Sequence, residues 1–329
     1  MLHELINADG ISGNEMAIRA RISKAIKPYV DEITVDKVGN LIAHKKGKGA
    51  EVMLAAHMDE VGLMVKNIDE HGRIYLVEIG GVDPVSIIGQ RVVVEGVKGV
   101  ISSKETSMGK TIEELPTFET VFVDTGLDKK ELGKEGIRTG SYVSFAQCEC
   151  CELGKKDIIS GKALDDRIGC FILIELAKKL KKTKNDIYFV FTVQEEIGLY
   201  GARASSYNIY PDWAIVIDTL DEDRKTKKLG NGPCITVKDA EMLGNRCINS
   251  WLETIAKKNR IPFQYDVSDT GTTDALSISL ARGGVPTSVL GVLVRNMHMS
   301  NGIADIKDIR NAIKLLDILL RNPPKQCIV

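Results

Sequence analysis

The chain has 329 residues, and its 44 Lys and Arg nearly balance its 45 Asp and Glu, for a formal net charge of −1. This balance provides no general attraction to nucleic acid or to an anionic membrane, and we expect neither as a partner. The N-terminus lacks the basic start and apolar core of a signal peptide, and no stretch approaches 18 uninterrupted apolar residues. We therefore expect a cytoplasmic protein of about two domains.

The first 65 residues predict a helix, a hairpin and a short strand. Ile18, Ile22 and Ile26 recur every four residues, which gives the helix one buried face. Ser12 stands three residues before Glu15, the spacing of a capping box, and is predicted to cap that helix. The chain then turns at residues 38–40, and the apolar run EVMLAAHMDE follows as a strand.

Residues 66–155 have a different character. Segments such as RIYLVEI, QRVVVEG and TVFVDTG are short, rich in Val and Ile, and separated by turns that contain Gly or Asp. Such regular short strands, with no long amphipathic helix between them, predict a compact all-β unit.

Helical segments and continuous apolar strands alternate after residue 160. This alternation indicates a mostly parallel sheet flanked by helices. The predicted fold is therefore α/β. Residues 1–65 and 156–329 would form one domain, interrupted by an inserted small β domain of residues 66–155.

Three of the seven cysteines, Cys148, Cys150 and Cys151, form the cluster QCECCEL. The cluster contains no C-x-x-C pair and has no second pair at zinc-finger spacing, so reduced thiols are favoured over a structural zinc site. The odd number of cysteines argues against a disulfide framework.

Four predicted strands run into residues that can bind metal or move a proton. These residues are His57, the pair Glu195-Glu196, Asp218 and His298. A fifth candidate, Asp165, opens a helix. Because sites form outside the carboxyl ends of parallel strands, we expect these side chains to meet at one edge of the sheet.

This set of ligands suits two divalent ions such as zinc, cobalt or manganese, with one carboxylate shared between them. Two such ions can hold a bridging water and polarise a carbonyl oxygen, while a carboxylate that binds no metal takes the water's proton. One residue of the pair Glu195-Glu196 could act as the base and the other as a metal ligand. The spacing does not say which residue has which role. Asp59 lies two residues beyond His57 on an extended strand, so it can accept a hydrogen bond from that imidazole.

Several segments resemble the dinuclear metalloaminopeptidases, the family of glutamyl aminopeptidase and the tetrahedral TET-type peptidases. They include AAHMDEVGLMV, GKALDDRIGC, FTVQEEIGLYGA and TTDA, and the resemblance runs along nearly the whole chain. It implies a hydrolase that removes N-terminal residues from short peptides, with a catalytic α/β domain and an inserted dimerisation domain. It also implies homo-oligomers, in which dimers assemble into tetrahedral dodecamers.

The same resemblance implies two metal sites. His57 and Asp218 would bind one ion, Glu196 and His298 would bind the other, and Asp165 would bridge the two.

Two catalytic roles follow from the resemblance as well. Glu195 would be the base that activates the metal-bridging water, and Asp59 would orient His57. In relatives a cis peptide bond follows the bridging Asp, so the same bond is expected at Asp165-Asp166. The family often follows its last histidine with Ser or Thr, Pro, a variable residue and Glu. Here His298 is followed by Met299-Ser300-Asn301, which puts the substrate preference in doubt.

Two alternatives to an aminopeptidase stay open at this stage. One is a dinuclear amidohydrolase or deacylase that acts on N-blocked amino acids or peptides. The other is a catalytically impaired oligomeric homologue. The residues indicate neither the preferred first residue nor the native metal.

Overall fold

The computed structural model describes residues 1–104, 115–146 and 151–323. The strands in chain order are β1 (Glu32–Val35), β2 (Leu41–Lys45), β3 (Glu51–His57), β4 (Gly62–Ile68), β5 (Ile74–Ile79), β6 (Arg91–Val94), β7 (Val97–Ser103), β8 (Val121–Asp124), β9 (Tyr142–Phe145), β10 (Cys151–Glu152), β11 (Ile158–Gly161), β12 (Asp186–Thr192), β13 (Trp213–Asp221), β14 (Cys234–Lys238), β15 (Gln264–Val267), β16 (Thr287–Arg295) and β17 (Gly302–Asp305).

The α-helices are α1 (Leu2–Ile6), α2 (Met16–Ile26), α3 (Lys129–Lys134), α4 (Leu164–Lys179), α5 (Tyr200–Ile209), α6 (Arg246–Lys258), α7 (Asp274–Ser279) and α8 (Ile306–Arg321). No helix in the described part of the chain is long and apolar enough to cross a membrane.

Eleven of the described strands form one mixed sheet. In its centre β12, β3, β13 and β16 lie side by side and run parallel. Antiparallel strands extend the sheet, with β2 and β1 at one edge and β17, β11 and β10 at the other. The predicted α/β class is confirmed, and parallel pairing is confined to these central strands and to the pair β14–β15.

Helices cover both faces of the sheet. Along β3, Val52, Leu54 and Ala56 enter the larger apolar core, which also contains residues of α1, α2, α4, α6 and α8. Met53 and Ala55 enter a second core on the opposite face, with residues of α5 and α7. Because successive side chains of a strand point to opposite faces, this double coverage explains why the central strands are apolar throughout.

A closed barrel of six antiparallel strands follows β3 in the chain. The strands run in the order β4, β5, β8, β7, β6 and β9 around the barrel, and their inward side chains, such as Leu63, Val92 and Val143, fill its interior. Closure leaves no free edge for another strand to pair with. The predicted all-β unit is confirmed. β4 begins at Gly62, so the boundary predicted at residue 66 falls inside a strand.

The start of α2 differs from the predicted capping box. The helix begins at Met16, and Glu15 occupies the capping position without a side-chain hydrogen bond to the helix. The Ser12 hydroxyl donates instead to Asp59, at 2.6 Å. Asp59 is completely buried, and a buried carboxylate that lacks donors is costly. The Ser12 hydroxyl therefore bonds to Asp59 instead of capping α2 as the sequence predicted.

A buried ionic cluster joins the N-terminal segment to the start of α4. The Glu60 carboxylate accepts hydrogen bonds from Lys162 at 2.8 Å and from Arg167 at 3.3 Å, and each of the three residues is at most 3% exposed. Arg167 also donates to the backbone carbonyls of Leu5 and Ala8, at 2.7 and 2.9 Å. The cluster thus fixes the segment that carries Asp165 against the N-terminus.

Replacing Glu60 with Gln is expected to lower the free energy of unfolding by about 3–5 kcal/mol, because two buried cations lose a carboxylate partner. Arg167 loses the one it has among the described residues, and Lys162 keeps only the more distant Asp9, at 3.7 Å. Urea unfolding of the metal-free protein measures the change. The control is Glu70→Gln, which removes an exposed pair with Lys129 and should cost less than about 1 kcal/mol. Equal losses for the two variants would contradict the role of the cluster.

The cysteine predictions have mixed outcomes. Cys148 and Cys150 lie outside the described residues, and the backbone of Cys151 is in β10. Cys170 and Cys234 are buried free thiols, and burial raises the pKa of both. Cys247, which is outside the cluster, is disulfide-bonded, although the odd number of cysteines argues against a disulfide framework.

Candidate metal centre

The candidate residues lie at the carboxyl end of the parallel strands. His57 is the last residue of β3, Glu195 and Glu196 follow β12, and His298 follows β16. Asp218 differs from the prediction because it lies inside β13, which continues to Asp221. The pairing of β13 with β3 ends at Val216, opposite Ala55, so Asp218 lies beyond the paired residues and level with His57 at the end of β3.

Asp165 lies between the two imidazoles. Its Oδ1 is 3.1 Å from Nε2 of His57, and its Oδ2 is 3.3 Å from Nε2 of His298. Nε2 of His298 is also 3.4 Å from Oε2 of Glu196, and Nε2 of His57 is 3.7 Å from Oδ1 of Asp218. One carboxylate therefore links two groups of ligands, each with its own histidine and a second carboxylate.

The backbone at the start of α4 turns Asp165 toward this position. The peptide bond between Asp165 and Asp166 is cis, as the resemblance implies, and both residues have non-helical φ and ψ angles. Asp166 is fully buried, and its Oδ1 accepts a hydrogen bond from the Gly169 amide at 2.9 Å.

Both imidazoles are oriented by oxygen atoms at their Nδ1. For His57 the nearer atom is the backbone carbonyl of Asp59, at 3.2 Å, while the Asp59 carboxylate is 3.6 Å away. For His298 it is the backbone carbonyl of Gly81, at 3.0 Å. This arrangement fixes the rings so that both Nε2 atoms face Asp165, as is usual for histidines that bind metal.

Asp59 organises the backbone beside the site. Its carboxylate accepts hydrogen bonds from the amides of Glu195 and Glu196, at 3.2 and 3.3 Å, in addition to the one from Ser12. Burial would raise its pKa, but contacts with His57 and Ser12 outweigh this effect and lower it. Asp59 therefore stays ionised and holds the turn that presents both glutamates.

The electrostatics of the cluster favour a cation. Burial raises the pKa of Glu196 to about 8 and also raises that of Asp218. Burial opposes charge on the imidazoles, yet nearby carboxylates raise the pKa of His57 well above its ordinary value and that of His298 to about 9. The two histidines hold the pKa of Asp165 far below its usual range against the effect of burial. Several buried acids thus compete for protons that divalent cations would replace.

The residues fit two divalent metal ions. His57, Asp165 and Glu196 each offer a ligand atom within 4.8 Å of the others, and His57, Asp166 and Asp218 do the same. Oε1 of Glu196 is buried and accepts no hydrogen bond from any described residue, so it has a free lone pair for a metal. Of the two aspartates, Asp165 fits a shared position better than Asp166, because each of its oxygens faces a different imidazole. Such nitrogen and oxygen donors suit zinc, cobalt or manganese.

Two contributions to the site escaped the sequence analysis. The Gly81 carbonyl comes from the loop after barrel strand β5 and had no sequence signal. Asp274 lies in the TTDA segment, to which the sequence assigns no role. It is buried at the start of α7 and accepts a hydrogen bond from Thr192 at 2.5 Å, and Thr192 pairs with His57 across the sheet. Burial raises the pKa of Asp274 to about 7.

The loop after β16 contacts the barrel. His298 has a φ of 59°, in the left-handed region that few residues other than Gly adopt. Ser300 donates a hydrogen bond to Gln90 at 2.8 Å. His298 therefore lies beside Asp165 even though the residues after it, Met299-Ser300-Asn301, differ from the usual family pattern. Ser300 in this segment connects the loop to the barrel.

Comparisons with known proteins identify the family of this chain. A family model described as M42 glutamyl aminopeptidase matches residues 39–315. A putative aminopeptidase from Acetivibrio thermocellus is 39% identical, over 96% of each chain. A lysyl aminopeptidase from Pyrococcus furiosus is 36% identical, over 97% of this chain and 96% of its own.

A solved structure shares the fold as well. It is that of the Pyrococcus horikoshii TET1 peptidase, described as able to assemble into a tetrahedron or a large octahedral shell. It aligns over 98% of each chain with a TM-score of 0.89 and 31% identity. The agreement of sequence and fold along almost the full length leads to one conclusion: the chain belongs to the M42 glutamyl aminopeptidase family.

Proposed function

We propose that this protein is a metal-dependent aminopeptidase that removes N-terminal residues from short peptides. The observation that carries the proposal is the position of Asp165 between His57 and His298, with Glu195 in the adjacent turn. A carboxylate shared by two sets of ligands, beside a second carboxylate that needs no metal, is the arrangement that two-metal hydrolysis of an amide requires.

The proposed ligands form two sets. His57, Asp165 and Asp218 would hold one ion, and Asp165, Glu196 and His298 the other. When bound, the two divalent ions would supply positive charge that polarises the scissile carbonyl and makes a water more acidic.

Glu195 would act as the general base. It is half-buried, and burial raises its pKa well above the ordinary value, with Asp218 and Asp274 adding to the effect. A carboxylate with a raised pKa can take a proton from water and then deliver it to the leaving amine. Asp59 holds the Glu195 amide, so it would position this base as well as His57.

We also propose that the part of the chain that forms the large sheet, up to His57 and from Cys151 onward, is the catalytic domain, and that the barrel from Gly62 to Phe145 is a dimerisation domain within a homo-oligomer. The predicted bounds of 66 and 155 would divide β4 and would assign β10 of the large sheet to the barrel. The likeness to the TET1 peptidase supports assembly, because that protein is described as able to form a tetrahedron or a large octahedral shell. Exposed apolar side chains on the barrel and the loops joining its strands support a contact there: Val77, Val85, Val100 and Leu115 are each at least 42% exposed.

Peptides with free and with acetylated N-termini test the proposed reaction. We expect the protein, supplied with zinc, cobalt or manganese, to release residues one at a time from free N-termini and to leave acetylated peptides intact. Mass spectrometry of the products detects both outcomes. Cleavage of only the acetylated peptides would support a deacylase instead, and no cleavage with any metal would support an impaired homologue.

A further inference from the structure

A pocket of about 510 Å³ opens beside the candidate metal centre. One wall is the end of β13, which continues from Asp218 to Asp221 after its pairing with β3 has ended. The opposite wall consists of the ends of β14 and β15 and the loop 268–273. Asp221 lies about 10 Å along the strand from Asp218, since three residues of strand rise about 3.3 Å each. The pocket therefore extends well beyond the metal ligands.

The positive charges near this pocket already have partners. Lys227 lines the pocket, but its Nζ is 2.5 Å from the carboxylate of Asp266, which is fully buried. Lys238 donates to the backbone carbonyls of Asp239 and Ser268 and to the Asp269 carboxylate, all at 3.0 Å. Both lysines thus hold the wall together, and neither leaves a free cation for an acidic ligand.

Two acidic side chains in the same walls have no cationic partner among the described residues. Asp239 is 4% exposed; its Oδ1 accepts two backbone hydrogen bonds, from Glu241 and Met242, while its Oδ2 is buried and has no partner. Asp221 is exposed at the mouth and forms no ion pair in the described part of the chain. Burial and the Asp165 charge raise its pKa, although His298 and Lys227 oppose this.

A third unpartnered group in the pocket is independent of these acids. The Thr219 hydroxyl is buried and has no hydrogen-bond partner in the part of the chain that the structure describes. Thr219 and Asp221 are two residues apart on β13 and point to the same side. Buried polar atoms without partners are rare in folded proteins and indicate a ligand or a bound water. Here they line a cavity whose side chains without a cationic partner, Asp221 and Asp239, are acidic.

We propose that this pocket receives the side chain of the first residue of the substrate and selects lysine or arginine, with Asp239 and Asp221 as the residues that determine the specificity. The inference rests on the proposed aminopeptidase function. A long side chain with a terminal cation matches both the depth of the pocket and its uncompensated charge. An acidic side chain would add a third negative charge, and a leucine would leave Asp239 and Thr219 without partners.

Peptides that differ only in their first residue test the proposal. We expect kcat/KM to be highest for lysine and arginine, lower for leucine, and about 100-fold lower for glutamate than for lysine. Calorimetry with the free amino acids on the metal-loaded protein adds a readout that needs no turnover, and L-lysine should bind more tightly than L-leucine or L-glutamate.

Single substitutions assign the preference to individual residues. Asp239→Asn retains the oxygen that accepts the two backbone hydrogen bonds but removes the charge, and we expect the lysine-to-leucine ratio of kcat/KM to fall about tenfold, the size of one charge-assisted hydrogen bond. Asp221→Asn, at an exposed position, should lower the same ratio. The matched control is Glu241→Gln, which removes an exposed acid two residues from Asp239 and outside the pocket, and should leave the ratio unchanged.

The outcomes separate this inference from the proposed function. Efficient cleavage after leucine or glutamate, with poor cleavage after lysine, would overturn the inference and leave the aminopeptidase intact. Failure to cleave any free peptide would overturn both. An equal loss for lysine and leucine peptides in Asp221→Asn would overturn the role of Asp221, because it would indicate contact with the α-amino group that all substrates share.

Discussion

Replacing Glu195 with Gln is expected to lower kcat/KM by a factor of about 10² to 10⁴ while the protein keeps its metal ions. The amide has nearly the same shape as the carboxylate, and the Glu195 backbone amide keeps its hydrogen bond to Asp59. The side-chain amide of glutamine, however, cannot take a proton from water. Kinetics with a free peptide and elemental analysis of the same sample measure the two quantities.

The control for this variant is Glu241→Gln, which makes the same chemical change at an exposed position and should have no effect on kcat/KM. A rate for Glu195→Gln within about threefold of the parent would remove Glu195 as the base. If the variant lost its metal together with its activity, Glu195 would be a metal ligand and Glu196 would be the base.

The second large effect is expected at Asp165. Asp165→Asn should weaken binding of both metal ions by at least about 100-fold, more than the loss of a residue that only supports a ligand. The reason is that each Asp165 oxygen faces a different imidazole, and an amide replaces one of those oxygens with an NH₂ group that cannot bind metal. Competition with a chromophoric chelator measures the affinities.

Asp166→Asn is the matched control for Asp165→Asn. Burial and nearby acids raise the pKa of Asp166 well above its usual value, so a neutral side chain suits this position. Asparagine also retains the oxygen that accepts the hydrogen bond from Gly169. We expect this variant to keep both ions. If Asp166→Asn lost metal and Asp165→Asn retained it, the shared position would belong to Asp166.

The sequence predicted the elements of the site because strand ends are local features. The apolar runs before His57 and Glu195 are visible in the chain, and the carboxyl ends of parallel strands share one edge. The sequence could not predict the orientation of His298, because the Gly81 carbonyl that fixes the ring lies 217 residues away. Nor could it predict the contact of Ser12 with Asp59, because a local capping pattern offered the hydroxyl another partner.

The proposed specificity pocket could not be predicted from the sequence either. Asp221 and Asp239 lie in segments that carry ordinary polar residues, and the pocket between them exists only after β13 and the β14–β15 pair are placed on either side of it. Pairing of strands from distant segments depends on the whole sheet and not on local periodicity. The chemistry of the centre was thus predictable from the sequence, while the groups that surround and orient it were not.

The central claim is that two metal ions at Asp165 catalyse the removal of N-terminal residues, and a metal titration tests it most directly. Protein stripped with a chelator is supplied with increasing amounts of zinc, cobalt or manganese, and release of the first residue from a free peptide is measured at each step. The account predicts no activity without metal and a rate that reaches its plateau at two equivalents per chain. Full activity in the stripped protein, or a plateau at one equivalent, would contradict it.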